Sequence, residues 1–260
     1  MKVVLFCGGL GTRLREHSDT IPKPLVSIGY RPIIWHLMKY YAHYGHKDFI
    51  LCLGYKGEMI REYFLNYDEC MTNDFTLSNG GKEIRLYSSD IKDWNITFVD
   101  TGMHKNIGQR LLAVKDYVKD EAVFLANYSD GLTDLDLTGY LDNFLKTDAI
   151  ASFVSVKPTS SFHAVKLDEV GMVTSIGTVA ASDVWINGGF FGLRQQIFDY
   201  IEEGDELVVE PFRRLIKINK LFSQRYDGFW SPMDTFKEKI NFDRQFAQGH
   251  CPWQVWKKRN

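Results

Sequence analysis

An α/β fold built on a mostly parallel sheet is predicted by three observations. Continuous apolar runs at residues 2–7, 48–53 and 122–127 each end at glycine or a polar turn, as strands buried on both faces do. The segments between them carry apolar residues at helical spacing. No repeat or low-complexity linker divides the 260 residues, so one domain over 1–260 is expected.

In chain order, residues 2–7 form a strand that enters Gly8-Gly9. The loop that follows runs to about Gly29, and Pro22 and Pro24 exclude a regular helix from it. A helix fits 32–44, with Ile33, Ile34, Leu37, Met38 and Tyr41 on one face and Gly45 as its stop. A second buried strand at 48–53 is followed by an amphipathic helix at 57–67. Strand, helix, strand, helix is the order that right-handed crossovers build into a parallel sheet. Residues 74–88 alternate apolar and polar around Asn79-Gly80-Gly81, the pattern of a hairpin. A strand at 96–100, a helix at 108–118 and a strand at 122–127 lead to Tyr128-Ser129-Asp130-Gly131. The second half reads as strands near 150–156, 162–167, 186–193 and 221–226, with helices near 194–203, 208–219 and 235–248.

Composition narrows the function. Hydrophobic residues at 45% and charged residues at 25% are ordinary for a globular enzyme. A formal charge of −2 argues against a nucleic-acid binder, whose affinity rests on phosphate neutralisation. Cys7, Cys52, Cys70 and Cys251 form no CxxC pair, so neither a disulfide framework nor a zinc site is expected. The apolar N-terminal run is too short for a signal peptide or a membrane span, and a cytoplasmic location without a membrane partner is expected.

The residues that carry chemistry begin at Gly8-Gly9-Leu10-Gly11-Thr12-Arg13. Glycines after a strand let backbone N–H groups approach an anion. The spacing fits neither a dinucleotide fingerprint, since position 14 is leucine, nor a P-loop. Arg13 follows closely, and Lys23 is held between Pro22 and Pro24. A guanidinium and an ammonium on one glycine-rich loop suit a triphosphate, where charge builds on departing pyrophosphate. Asp130 falls beyond the C-terminal end of a central strand, where open α/β sheets place ligands. Asp234, at a strand-to-helix junction, fits either a helix cap or, with Asp130, a Mg²⁺ site. Asp134 and Asp136 fit caps.

Gly8-Gly9-Leu10-Gly11-Thr12-Arg13 with Pro22-Lys23-Pro24 resembles the fingerprint of the sugar-1-phosphate nucleotidyltransferases. Ile34-Trp35-His36, Gly54-Tyr55-Lys56-Gly57, Val99-Asp100-Thr101-Gly102, Ile186-Asn187-Gly188-Gly189-Phe190-Phe191, Gly228-Phe229-Trp230, Met233-Asp234-Thr235 and Pro252-Trp253 are similar to the glucose-1-phosphate cytidylyltransferase branch. The resemblance implies a Rossmann-like three-layer α/β/α sandwich with a mixed, mostly parallel central sheet, of the nucleotide-diphospho-sugar transferase type. Residues 1–135 would then bind mainly nucleotide and 136–260 mainly acceptor. It further implies that the loop from Phe6 and Cys7 through Gly8, Gly9, Gly11 and Thr12 wraps the nucleotide. Arg13 would stabilise departing pyrophosphate, Lys23 would contact the reacting phosphates, Arg110 and Ser129 would bind nucleotide, and Asp130 and Asp234 would hold Mg²⁺. The partners implied are a nucleoside triphosphate, with CTP favoured over UTP or dTTP, and a phosphorylated small molecule; a homo-oligomer is expected.

This chain departs from the resembling pattern on the acceptor side. Where the family has Glu-Lys-Pro, this chain has Gly177-Thr178-Val179, and where it has Arg-Phe-Gly, Ser161-Phe162-His163. A hydroxyl does not replace an ammonium as a phosphate counter-charge. His163, Thr178, Asn187 and Gly188 are therefore the candidate acceptor residues, and an acceptor other than plain glucose 1-phosphate is expected. Two other readings stay open: a glycosyltransferase, which would need no Arg13–Lys23 pair, and a nucleotide-binding regulatory protein without catalysis.

Overall fold

Val3 and Leu5 face one side of the first strand, Val4 and Phe6 the other, and all four are buried. A strand so placed is central, and the sheet grows outward from it. The structure, a computed structural model, describes residues 1–9, 21–159 and 162–257. The expected phosphate-binding positions Gly11, Thr12 and Arg13, and also Ser161, lie outside the described residues.

From the N-terminus the chain forms β1 (Lys2–Phe6), two short strands β2 (Ser27–Ile28) and β3 (Arg31–Pro32), helix α1 (Ile33–His43), β4 (Asp48–Leu53) and α2 (Gly57–Leu65). The hairpin β5 (Phe75–Ser78) and β6 (Glu83–Leu86) precedes β7 (Asn95–Asp100), α3 (Ile107–Ala113), β8 (Val123–Asn127), β9 (Gly131–Thr133) and α4 (Leu137–Leu145). Then follow β10 (Ala151–Val156), β11 (His163–Leu167), β12 (Val173–Thr178), β13 (Ile186–Arg194), α5 (Glu210–Lys217), β14 (Leu221–Tyr226), β15 (Trp230–Pro232) and α6 (Phe236–Ala247). Asn106 and Gln109 close a capping box on α3, and Thr235 and Glu238 close one on α6.

Among the described residues the central sheet has seven strands in the order β14-β10-β13-β8-β1-β4-β7. β1 pairs parallel with β4 and β8, β4 with β7, and β10 with β14. β13 runs antiparallel between β10 and β8. The sheet is therefore mixed and mostly parallel, as expected. One face packs α1, α2, α4 and α6 through residues such as Leu37, Ile60, Tyr140 and Phe242. The other packs α3, α5 and the 3₁₀ turn Gln195–Tyr200 through Leu111, Leu215 and Phe198. These are the three layers. The chain steps from β1 to β4 and β7 on one side, then returns to β8 on the other, which puts a topological switch point at the end of β1.

The structure corrects several expected boundaries. The helix expected at 194–203 is the short 3₁₀ turn Gln195–Tyr200. The helix expected to reach 118 ends at Ala113 and tightens into a 3₁₀ turn over Lys115–Tyr117. α4 and β12 were not expected; α4 nevertheless carries Leu137, Tyr140, Leu141 and Phe144 at helical spacing and is capped by Asp136, whose carboxylate accepts the Thr138 N–H, whereas β12 is exposed along its length and has no alternation to mark it.

α1 is buried nearly all round because the C-terminal segment covers the side away from the sheet. His36 and Trp253 are buried there. The Trp253 indole N–H reaches His36 Nδ1 at 3.4 Å, and His36 Nε2 lies 3.1 Å from the Ile28 carbonyl. A carbonyl only accepts and an indole N–H only donates, so His36 is neutral with its proton on Nε2. Burial pushes its pKa from 6.5 to about 4. Since this pKa is depressed on folding, the stability it links is present above pH 6.5 and is lost as pH falls toward 4. That loss is expected to reach about 3 kcal/mol. Urea denaturation of wild type and His36→Gln at pH 7 and pH 4.5 checks it: the variant should lose distinctly less on acidification, and parallel losses would disprove the linkage.

Candidate active site

The loops after β1, β4, β7 and β8 meet at the carboxyl edge of the sheet, and one side chain joins three of them. Arg110, on α3, is only 2% exposed. Its Nη1 donates to the Leu53 and Gly102 carbonyls and to Thr101 Oγ1, and its Nη2 donates to the Gly8 and Met103 carbonyls. The sequence suggested that glycine at position 8 lets a backbone N–H approach an anion; the structure gives a different reason. A Cβ on Gly8 would lie 2.1 Å from Arg110 Nη1, so the missing side chain makes room for the guanidinium. Gly9 has nothing within 4 Å of its Cβ position and opens onto a cavity of about 460 Å³ that Phe6, Tyr128, Asn106, Arg110, Asp130 and Glu206 help to line.

Cys7 and Ser129 hold this cavity in place. The Cys7 N–H donates to the Cys52 carbonyl as β1 runs out, and burial pushes the thiol up to about 12, so it stays protonated. Ser129 is buried, with a left-handed φ of 67°. Its hydroxyl donates to the Phe6 carbonyl at 2.8 Å, tying the end of β8 to the end of β1. The side chain is thus turned toward protein, and what Ser129 contributes here is the turn that aims Asp130.

Asp130 and Asp234 are 104 positions apart in sequence and are brought together by a short ladder. β15 pairs antiparallel with β9 in a register that sets Pro232 against Gly131. Asp130 precedes Gly131, Met233 and Asp234 follow Pro232, and the Met233 N–H donates to the Asp130 carbonyl at 2.8 Å. The α6 cap falls to Thr235 and Glu238, so capping is not the role of the Asp234 side chain. Lys23, in a 3₁₀ turn behind an extended Pro22, places Nζ 2.6 Å from Asp130 Oδ2 and 2.6 Å from Asp234 Oδ1. Burial works against the ammonium, but the two carboxylates outweigh it and raise the Lys23 pKa. Burial also raises the Asp130 carboxyl, against the pull of Lys23.

Two carboxylates converging on one cation fit the donor set that Mg²⁺ takes from protein, completed by phosphate oxygens and water. The lysine ammonium stands where such an ion would be held. No group of three or more His, Cys, Asp and Glu that could hold a metal occurs among the described residues.

The acceptor candidates separate into two places. His163 and Thr178 face each other directly across the β11–β12 ribbon, both exposed. The Thr178 hydroxyl accepts the Ala181 N–H at 3.3 Å as the cap of a 3₁₀ turn. Among the described residues neither is hydrogen-bonded or ion-paired to Lys23, Asp130 or Asp234. Asn187 and Gly188 do lie at the sheet edge. The Asn187 amide donates to the Tyr128 hydroxyl at 3.1 Å, and the Gly188 carbonyl accepts from the Trp230 indole at 2.9 Å. Glu206 was not singled out by sequence, and Tyr128 and Trp230 appeared there only inside motifs, without a role of their own. Tyr128 sat beside the Asp-Gly turn and could have been found there; Glu206 comes from a loop with no motif, and only folding brings it to the cavity.

Replacing Lys23 by methionine leaves the two carboxylates facing one another without the ammonium between them. Without divalent cations Lys23→Met is expected to lose about 1–3 kcal/mol, a range reduced for partial exposure. Millimolar Mg²⁺ is expected to raise its melting temperature more than that of wild type. Thermal unfolding with and without Mg²⁺ checks this, and equal Mg²⁺ shifts would count against a metal at the carboxylate pair.

Comparison with known proteins places this geometry in a family. Residues 2–220 match the Nucleotidyl transferase family. The chain is 39% identical over 258 residues to a probable glucose-1-phosphate cytidylyltransferase of Bacillus subtilis (strain 168), covering 98% of this chain and 100% of that protein. It is equally similar, 39% over 258 residues with the same coverage, to the glucose-1-phosphate cytidylyltransferase of Salmonella typhi. Among solved structures, a putative glucose-1-phosphate thymidylyltransferase from Bacillus anthracis in complex with sucrose superposes with a TM-score of 0.68 at 16% identity, over 96% of this chain and 95% of that one; this likeness concerns the fold. A parallel-sheet switch point, a glycine turn closed by a buried arginine and a lysine between two aspartates thus occur in a chain that belongs to the nucleotidyl transferase family.

Proposed function

We propose that the protein transfers CMP from CTP to the phosphate of a sugar 1-phosphate or a closely related phosphorylated metabolite, releasing pyrophosphate. The observation that carries this reading is the convergence of Lys23, Asp130 and Asp234 beside the cavity behind Gly8 and Gly9. Full-length similarity to glucose-1-phosphate cytidylyltransferases supports it. CTP is favoured over UTP or dTTP because those relatives are cytidylyltransferases.

In this reading the nucleotide lies over β8, β1, β4 and β7, within residues 1–135, and the acceptor lies over β13 and β10, within residues 136–260. An acceptor phosphate oxygen attacks the α-phosphorus, the bond from that phosphorus to the pyrophosphate oxygen breaks, and pyrophosphate departs with the electron pair. The attacking phosphate is already ionised, so no general base is required; positioning and charge neutralisation lower the barrier. Lys23 provides a fixed positive charge at the reacting phosphates, and Arg13 serves the departing pyrophosphate. Arg110 and Ser129 keep the loops around the nucleotide in place. Asp130 and Asp234 would hold Mg²⁺, which supplies further neutralisation of phosphate charge. The acceptor is not plain glucose 1-phosphate in this reading, because Thr178 is a capping hydroxyl and His163 stands beside it. No helix among the described residues is long and apolar enough to cross a membrane, and we place the reaction in the cytoplasm.

Pyrophosphate release with Mg²⁺ and each of CTP, UTP, dTTP, ATP and GTP, against a panel of phosphorylated sugars, polyols and amino acids, tests the reading. CTP with one acceptor class should support turnover, and Lys23→Ala should lower kcat/KM by about 100-fold or more. Efficient use of glucose 1-phosphate would remove the altered-acceptor part. Nucleotide binding without any release would favour a regulatory protein.

A second copy of the chain is the proposed partner. Phe75, Leu77, Ile84 and Leu86 share one face of the β5–β6 hairpin and are 41%, 57%, 58% and 37% exposed. A two-stranded ribbon with a bare apolar face is stabilised by being covered. Light scattering should give an oligomer for wild type and a smaller species for Leu77→Asp/Ile84→Asp with unchanged circular dichroism. A monomeric wild type would refute the partner.

A further inference from the structure

Beyond the reacting centre, the proposed acceptor end of the sheet carries a pair of cations that form no ion pair among the described residues. Lys157 directly follows β10, Arg225 is the penultimate residue of β14, and Trp185 directly precedes β13. Lys157 Nζ lies 4.4 Å from the centroid of the Trp185 ring, and the Arg225 guanidinium carbon lies 5.3 Å from it. Lys157 is half-buried and uses one donor on the Ser182 carbonyl, which leaves two of its three N–H groups. Neither cation forms an ion pair among the described residues. Lys23, Lys39, Lys47, Arg214, Lys220 and Lys239 pair with carboxylates, whereas Arg85 and Lys115 also lie over single rings without an ion pair among the described residues, so what distinguishes Lys157 and Arg225 is that two cations share one ring. Both cations thus lie within reach of one indole, whose ring face attracts each of them, and an anion within reach of both would add charge-assisted partners.

Position gives the pair its meaning. β8, which leads into Asp130, is followed in the sheet by β13, β10 and β14. At roughly 4.8 Å per strand, β10, from whose end Lys157 springs, lies about 10 Å across the sheet from β8. All four strands present this same edge: β8, β10 and β14 end here and β13, running the other way, begins here. Between Asp130 and the cations lie Asn187 and Gly188, already placed at the acceptor side.

We propose that Lys157 and Arg225, seated over Trp185, form a second anion subsite of the acceptor pocket. The preferred acceptor then carries, besides the phosphate that attacks, a second anionic group at its far end, a carboxylate or another phosphate. This rests on the transfer reading above and adds the charge class of the substrate to it.

Three acceptors that differ at one end test the subsite: glucose 1-phosphate, glucuronic acid 1-phosphate and glucose 1,6-bisphosphate, each with CTP and Mg²⁺. At least one doubly anionic acceptor should exceed glucose 1-phosphate in kcat/KM by about tenfold or more, and the carboxylate and phosphate arms identify the group. In Lys157→Met/Arg225→Met that ratio should fall toward one with the KM for CTP unchanged. A ratio near one in wild type, or a ratio kept in the double variant, overturns the subsite. Equilibrium binding of the same three compounds beside a non-hydrolysable CTP analogue separates the two ideas. Charge-selective binding that the double variant loses, without pyrophosphate release, supports the subsite and refutes the transfer reading. Release without charge preference refutes the subsite alone, and neither binding nor release refutes both.

Discussion

The Arg110 guanidinium is the contact on which the glycine-turn edge of the sheet depends. It is buried, and its donors hold carbonyls from the loops after β1, β4 and β7. Without it those carbonyls would face one another in a poorly solvated space, each at the cost of an unsatisfied buried acceptor. Gly8 and Gly54 are shaped by the same side chain, since a Cβ on either would lie within 3 Å of Arg110 Nη1. The capping box of Asn106 and Gln109 fixes the start of the helix that delivers the arginine. A helix cap, two glycines and three strand ends therefore form one arrangement around one cation.

A second convergence lies across the edge, where the β9–β15 ladder sets Asp130 beside Asp234 and the Pro22 turn brings Lys23 to both. Two carboxylates this close would repel if nothing lay between them. The ammonium answers that repulsion, and the same charge is what a phosphate needs. Ser129 joins the two convergences by tying β8 to β1, so the metal candidates and the glycine turn belong to one rigid edge.

The periphery follows a different logic. The ribbons β5–β6 and β11–β12 stand off the central sheet, and their side chains are largely exposed. His163 and Thr178 owe their proximity to ribbon register alone. The candidate acceptor residues are thus divided between a firm part, Asn187 and Gly188 on β13, and a separate part on a two-stranded arm.

Much of this was readable from the residues. Strands buried on both faces announce themselves as unbroken apolar runs, so β1, β4 and β8 and the α/β class were legible, and Lys23 between prolines and Asp130 after a strand could be picked out by position. By contrast, β12 is exposed along its length and so has no buried alternation to mark it, and a 3₁₀ turn at 195–200 has the same apolar content as a helix; α4, with Leu137, Tyr140, Leu141 and Phe144 at helical spacing, was legible though no helix was expected there. Sequence by itself determined which segments must be buried and which residue types could meet a triphosphate, because hydrophobic periodicity and backbone chemistry are local properties. Only the tertiary structure decided that Gly8 serves Arg110, that Asp234 turns to Lys23 while Thr235 caps the helix, and that Lys157 and Arg225 meet over Trp185. Each of those depends on strand order and register, which are set by long-range packing that no local window contains.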